Sequence, residues 1–339
     1  MIPYRTRHIL RRLAIGALVL ALLAGAVVLC WFLWLNRYVL YTRNGASLNF
    51  NMNMEFPLGQ TPENPAPGQN IDIYYNEGEN AILPENPELT QLAGINITMS
   101  MLNKNFDKVV EKLATLPRGS QVMLDMKNIK GEYFYNSQLG STYSKIDPDK
   151  MEQLIHTLHR SGCYLIARVP ALRDYWYGLY HVKYGIFNPN RYSLWMDDQR
   201  CYWLNPKSDG TMSYLVQIAK ELRNLGFDEV VFTDFQVPDT EAIYFPYDRA
   251  EAINSLAASL VTICTTDHFA VSFATNKEDF VLPDGRCRLY IDNATAVNVS
   301  SIAERTGISD PDIRLVFLTD RNDTRFEAYG VLRPIELAP

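Results

Sequence analysis

Cysteine is scarce. There are five in 339 residues, with no CxxC pair and no Cys/His cluster, so neither a disulfide scaffold nor a structural zinc site is expected. Glycine and proline, 18 each, are too few for a collagen-like or low-complexity chain. No GxGxxG follows a strand and no P-loop occurs, which argues against a nucleotide-binding open sheet. The first 37 residues contain no acid but five arginines, at 5, 7, 11, 12 and 37. The remainder carries 27 basic and 38 acidic residues. So acidic a body suits neither a phosphate backbone nor any other nucleic-acid partner. His156 and His159 lie three apart without a third ligand, and no Asp/His/His set marks a polysaccharide deacetylase. Neither metal nor cofactor is expected.

What the chain does have begins with an uncharged run of 23 residues, 13–35. At about 1.5 Å per residue it is long enough for a hydrocarbon core of about 30 Å. Arg5, Arg7, Arg11 and Arg12 precede it, and Trp31 and Trp34 sit near its far end. The positive-inside rule then keeps residues 1–12 in the cytoplasm and places everything after the helix outside. A cleaved signal peptide fits less well, because the run continues past the small residues Ala24, Gly25 and Ala26. The expectation is a single-pass plasma-membrane anchor with an extracytoplasmic C-terminal domain.

Residues 36–93, rich in Asn, Pro, Glu and Gly, read as a linker with one short strand at 71–75. From residue 94 to 339 the pattern changes. Short β-branched or aromatic runs at 95–101, 121–126, 164–169, 229–235, 269–274, 289–291 and 313–318 read as strands. Helical periodicity marks 106–116, 151–160, 212–225 and 249–264 between them. Asp147-Pro148 opens the second helix, and Gly226 closes the third. This alternation predicts an α/β chain folded as a (β/α)8 TIM-type barrel. Its weak eighth strand, near 329–332, makes the barrel irregular or incomplete. A Cys264–Cys287 bridge is open in an oxidising compartment, with buried thiols as the alternative.

Strand C-termini build the site of such a barrel. Here they carry Asp125 and Lys127, Arg168, Asp234, Asn276, Asp292 and Asp320. The stretch after the third strand is long and aromatic, DYWYGLYHVKYGIFNPNRYSLWMDDQRCYWLNP, as functional loops tend to be, and its rings can stack on sugars or on one another. VMLDMKNIKGEYFY, YLIARVPALRD, WLNP and GFDEVVFTDFQVP, in that order, resemble a family of bacterial extracytoplasmic glycosyl-hydrolase-like TIM barrels related to the α-amylase type. The resemblance runs from about residue 95 to 290. It maps the family's motifs onto Asp125, Lys127, Arg168, Asp174, Trp203, Asn205, Asp228, Glu229 and Asp234. The fourth motif departs from the family pattern, in which Asp-Tyr-x-Arg-Phe-Pro follows the strand. Thr233 stands at the acid's position, Asp234 at the tyrosine's and Gln236 at the arginine's. A one-residue shift turns a strand side chain to the other face, so Asp234 reaches the site only if the strand bulges or has already ended.

The function this implies is hydrolysis of a glycosidic bond in a polysaccharide or envelope glycan. Two carboxyl groups must flank the bond, about 5–5.5 Å apart for retention or about 6.5–9.5 Å for inversion. Asp234 is expected as nucleophile or base, and Asp125 or Asp292 as the acid. Arg168 would hold whichever carboxylate stays ionised, and Lys127 would bond a sugar hydroxyl. Asp174, Trp203, Asn205 and Gln236 would add substrate contacts. Glu229, at the start of its strand, is expected in an ion pair or cap. The alternative is a non-catalytic barrel that binds glycan or protein through the aromatic loop.

Overall fold

In the computed structural model, the described residues are 89–336, together with 24–25, 39–42 and 45–48. The chain divides into two compact units, residues 1–79 and 80–339. In the first, Val39–Thr42 pairs antiparallel with Gly45–Leu48, so the expected linker contains a hairpin. Among the described residues no helix is long and apolar enough to cross a membrane. The 13–35 run lies outside the described residues except for Ala24 and Gly25, as does the strand expected at 71–75.

The second unit is a closed barrel of eight parallel strands: β1 (Ala93–Ile97), β2 (Gln121–Asp125), β3 (Tyr164–Pro170), β4 (Glu229–Thr233), β5 (Ala270–Ala274), β6 (Leu289–Asp292), β7 (Leu315–Leu318) and β8 (Gly330–Pro334). The weak eighth strand is real. Val331 pairs with Ala93 and Pro334 with Asn96, which closes the ring and corrects the expectation of an incomplete barrel. Helices α1 (Met99–Leu113), α2 (Pro148–Arg160), α3 (Tyr175–Tyr180), α4 (Asp209–Leu225), α5 (Arg249–Cys264), α6 (Val299–Thr306) and α7 (Pro311–Arg314) fill the connections. Helix α1 begins at Met99, inside the predicted first strand, and bends at Asn105. The Asp147 carboxylate accepts the amides of Asp149 and Lys150 at the start of α2, and Gly226 closes α4 at φ +100°. Cys163, Cys201, Cys264 and Cys287 are buried free thiols, so no Cys264–Cys287 bridge forms.

Strand alternation sorts the core into two layers. Val122, Leu124, Leu165, Ala167, Val230 and Phe232 pack outward with the helices, while Met123, Ile166, Val231, Tyr290, Val316 and Leu332 fill the barrel interior. The interior is polar at both ends. At its base Glu229 accepts from Arg288 (2.5 Å), Tyr164 Oη (2.9 Å), Ser272 Oγ (2.5 Å) and Tyr290 Oη (2.9 Å). Both charged side chains are buried, and every carboxylate bond comes from a donor aimed at it. Glu229 is thus an internal ion pair, as its place at the strand start suggested. Arg288 Nη2 also donates to Thr90 O at 2.8 Å, and Leu92 packs in the interior. This ties the segment before β1 to the barrel floor. The opposite end gathers the strand C-termini.

Candidate active site

Along β2, β3, β4 and β6 the same alternation that sends Met123, Ile166, Val231 and Tyr290 inward brings Asp125, Arg168, Thr233 and Asp292 to the inward face two residues later. They meet at the C-terminal mouth around a cavity of about 400 Å³, lined also by Asp234, Lys127, Asn128 and Met99. Asp125 and Arg168 are register partners on adjacent strands, and Arg168 Nε donates to Asp125 Oδ1 at 2.6 Å. The other oxygen, Oδ2, accepts the Met99 amide at 2.6 Å. Both oxygens of Asp125 are therefore occupied, one by the guanidinium and one by a backbone amide. Asp292 and Asp234 also act on the Arg168 guanidinium, which keeps its proton all the more firmly.

Asp234 reaches this cavity by an unusual route. The strand has ended at Thr233, and Asp234 adopts the left-handed conformation, φ +49°. Continued alternation would have turned it outward with Phe232; the turn instead brings its carboxyl group to the mouth. Burial raises its pKa, against the opposing charges of Arg173 and Lys127. Burial raises Asp292 likewise; there only Arg168 opposes, and the like charge of Asp125 adds to the rise. The three acids thus occupy unequal environments around one cation.

Arg173 was not among the residues singled out in the sequence. It enters from the loop after β3, with Nη1 3.6 Å from Asp234 Oδ1 and Nη2 2.5 Å from Asp197 Oδ2. Its guanidinium carbon stands 5.6 Å from the Trp203 ring centroid. It supplies from another loop a positive charge that position 236 lacks. Its one signal in the sequence is its place directly before Asp174 at the end of YLIARVPALRD.

The other expected contacts serve other purposes. Lys127 Nζ bonds Asp174 Oδ2 at 2.7 Å and Pro170 O at 2.9 Å, with both charged side chains fully buried. Tyr214 Oη donates to the same Asp174 oxygen at 2.8 Å and meets Tyr133 Oη at 2.7 Å. This network props the mouth from beneath, and the Lys127 ammonium has no exposed face for a sugar hydroxyl. Gly131 shows how tightly Asp174 is enclosed: at φ +83°, an added Cβ would lie 2.2 Å from its Oδ1. Trp203 is buried, donating Nε1–H to Asp197 Oδ2 at 2.9 Å, and so backs Arg173 instead of offering a stacking face. Asn205 accepts the Lys207 amide in a turn. Gln236 lines a separate cavity of about 130 Å³ with Phe235 and Val237. Asp228 accepts the Leu165 amide at 2.7 Å.

Residues 94–262 match the family described as "putative glycosyl hydrolase domain", and this is the resemblance the four motifs carry. No curated protein matches the chain. Among solved structures, a hypothetical protein from Ruminiclostridium thermocellum is similar at 20% identity, over 52% of this chain and 96% of that one, with a TM-score of 0.45. The α-galactosidase from Lactobacillus brevis is 11% identical over 74% of this chain, with a TM-score of 0.48. The GH36 α-galactosidase AgaA from Geobacillus stearothermophilus is 14% identical over 73%, also with a TM-score of 0.48. The chain spans 38% and 40% of the lengths of these two enzymes.

Proposed function

We propose that the barrel mouth hydrolyses an O-glycosidic bond in a polysaccharide or envelope glycan. The observation that carries this reading is the meeting of Asp125, Asp234 and Asp292, from three strand ends, around Arg168 in one cavity. Asp292 suits the general acid. Burial and the charge of Asp125 favour its protonated form, and among the described residues no hydrogen bond is spent on its carboxyl group. Asp234, steadied by Arg173 and Lys127, is the nucleophile or base. Asp125, fixed by Arg168 and the Met99 amide, keeps the guanidinium in place and supplies negative charge beside the developing oxocarbenium ion. Asp292 gives its proton to the glycosidic oxygen as the carbon–oxygen bond breaks. Asp234 attacks the anomeric carbon or takes a proton from the attacking water, and one water is consumed overall.

The apolar run 13–35 and its arginines support the further reading that the barrel is carried outside the plasma membrane on a single anchor. Protease digestion of intact cells tests it: cleavage of the barrel is expected, and protection until lysis overturns it. Catalysis is tested by incubating the full chain with plant and bacterial glycans and scoring reducing ends. Release that disappears in Asp234→Asn and Asp292→Asn is expected. Release that survives both refutes the assignment. Thr233 at the family's acid position favours a second reading, a glycan-binding barrel without turnover, which binding with no release would establish.

A further inference from the structure

One stretch of this acidic chain holds no acid. Residues 175–196, YWYGLYHVKYGIFNPNRYSLWM, contain Lys183 and Arg191 but neither Asp nor Glu. The acids on either side are turned in, Asp174 to Lys127 and Asp197 to Arg173, and exposed acids begin only at the borders, with Asp198 and Glu241. The stretch leaves β3 at the mouth end of the barrel and comprises α3 and a hairpin that pairs Phe187–Asn188 with Ser193–Leu194. Six of the eleven large apolar side chains exposed among the described residues lie here: Leu179, Tyr180, Val182, Phe187, Tyr192 and Met196. Exposed Tyr244 joins them, its amide bonded to Phe187 O at 2.8 Å. The backbone beneath is fixed, with the Ile186 amide on Trp203 O at 2.7 Å and the Trp195 amide on Ile186 O at 2.8 Å. Tyr192, beside the hairpin tip, is 89% exposed and holds φ +50°. That conformation is costly for a bulky side chain, so strain is borne at a ring left in solvent. Between α3 and the hairpin opens a groove of about 650 Å³, lined among others by Leu194, Trp195, Ala242 and Arg191.

We propose that this face docks on the surface of a bilayer containing anionic lipid, with its tyrosine and aliphatic tips in the headgroup zone and Lys183 and Arg191 against lipid phosphates. Apolar tips clustered in water mark a surface that a partner covers. Tyrosines and aliphatic side chains flanked by cations suit a lipid interface, where rings and methyl groups enter the acyl boundary while hydroxyls and charges stay among the headgroups. The absence of acid matches a negative surface. A second copy of this chain fits less well. Across a two-fold axis Lys183 and Arg191 would lie near their own mates, and the stretch has no acid to meet them. A sugar chain needs flat ring faces, which Leu179, Val182 and Met196 do not offer. Through Arg173 the stretch stands beside Asp234, so docking sets the mouth next to the lipid surface. The contact is separate from the apolar run 13–35 and does not depend on hydrolysis.

The test uses the full chain carrying Cys30→Ser, so that an environment-sensitive NBD fluorophore attaches only at an introduced cysteine, the other four thiols being buried. The label is placed at Tyr192→Cys, or at Asp267→Cys in the exposed turn between α5 and β5, at the other end of the barrel. The chain is reconstituted in vesicles of equal phosphatidylglycerol and phosphatidylcholine containing a doxyl-labelled lipid as quencher. Quenching at Tyr192→Cys is expected to be about threefold stronger than at Asp267→Cys, as insertion of one face into the headgroup zone requires. It should fall to the Asp267→Cys level in phosphatidylcholine alone and in Lys183→Glu/Arg191→Glu, each cation being worth about fivefold in affinity for an anionic surface. Equal quenching at the two positions, or quenching indifferent to lipid charge, overturns the proposal. A blue shift at Tyr192→Cys that ignores the doxyl lipid but grows with the number of chains per vesicle assigns the face to a second copy, and overturns it too. No readout involves turnover, so failure here leaves the hydrolytic reading standing, and the converse holds.

Discussion

Replacing Arg173 by Met removes the nearer of the two cations that oppose burial at Asp234. At 3.6 Å, unit charges attract by about 4–5 kcal/mol in an effective dielectric of about 20. The Asp234 side chain is 25% exposed and Lys127 still acts on it, so solvent and the second cation leave about a third to a half of that. The ionised form thus loses about 1.5–2.5 kcal/mol, and the carboxyl pKa climbs accordingly. If Asp234 must be ionised to act, the acidic limb of kcat/KM against pH moves upward by the same amount. The basic limb, set by the proton on Asp292, stays. Stability follows with a definite sign. The pKa of Asp234 is already raised on folding, so stability is lost as pH rises from the unfolded value through the folded one, and the cost is complete above it. Losing Arg173 enlarges that cost near neutral pH; the difference builds between the parent's raised folded pKa and the variant's higher one, and it is gone once pH falls below the parent's folded value. Arg173→Lys retains a charge but cannot fork between Asp197 and Asp234, and should fall between the two. The measurements are a pH–rate profile and a pH series of unfolding curves. An acidic limb that stays put, or moves down, refutes the role given to Arg173.

Three further outcomes follow from the geometry. Asp292→Asn should cut kcat by about a hundredfold or more while raising the unfolding midpoint at neutral pH. The amide removes a buried acid whose pKa burial raises, and the gain should vanish in acid below the unfolded pKa; equal midpoints at both pH values would count against it. Arg288→Met leaves Glu229 buried without its cation, at a cost of about 3–5 kcal/mol in denaturant unfolding; pairing it with Glu229→Gln should recover part of this, and strict additivity would show that the pair is not coupled. Gly131→Ala should disrupt the Lys127–Asp174 pair through its clash with the carboxylate, lowering thermal stability well beyond the usual Gly-to-Ala effect of about 1 kcal/mol.

The order of strands and helices was legible because periodicity is local. Alternating runs, the Asp147-Pro148 start and the Gly226 stop each act within a few residues. Helix α5 falls where its pattern puts it, and so do the tips bearing Asp125, Arg168 and Asp292. Boundaries were less legible. Met99 looks like the continuation of a strand in a β-rich run, but its amide is bonded by Asp125 from the next strand, and a helix starts there. Closure was not legible either. The short eighth strand is fixed by partners on both sides, Val316 to Leu318 and Ala93 to Asn96, and its own composition says little.

For the site, the sequence alone determined which acids stand at strand ends, because side-chain alternation and strand length decide that locally. Only the tertiary structure decided what each charge faces. Lys127 and Arg168 look alike as cations near strand tips, yet one is sealed against Asp174 and the other opens on the mouth. Asp234 returns to the cavity through a single positive φ, and Arg173 reaches it from a loop some 60 positions earlier. Charge pairing acts through space between distant segments, and it takes a closed ring of strands to bring those segments together.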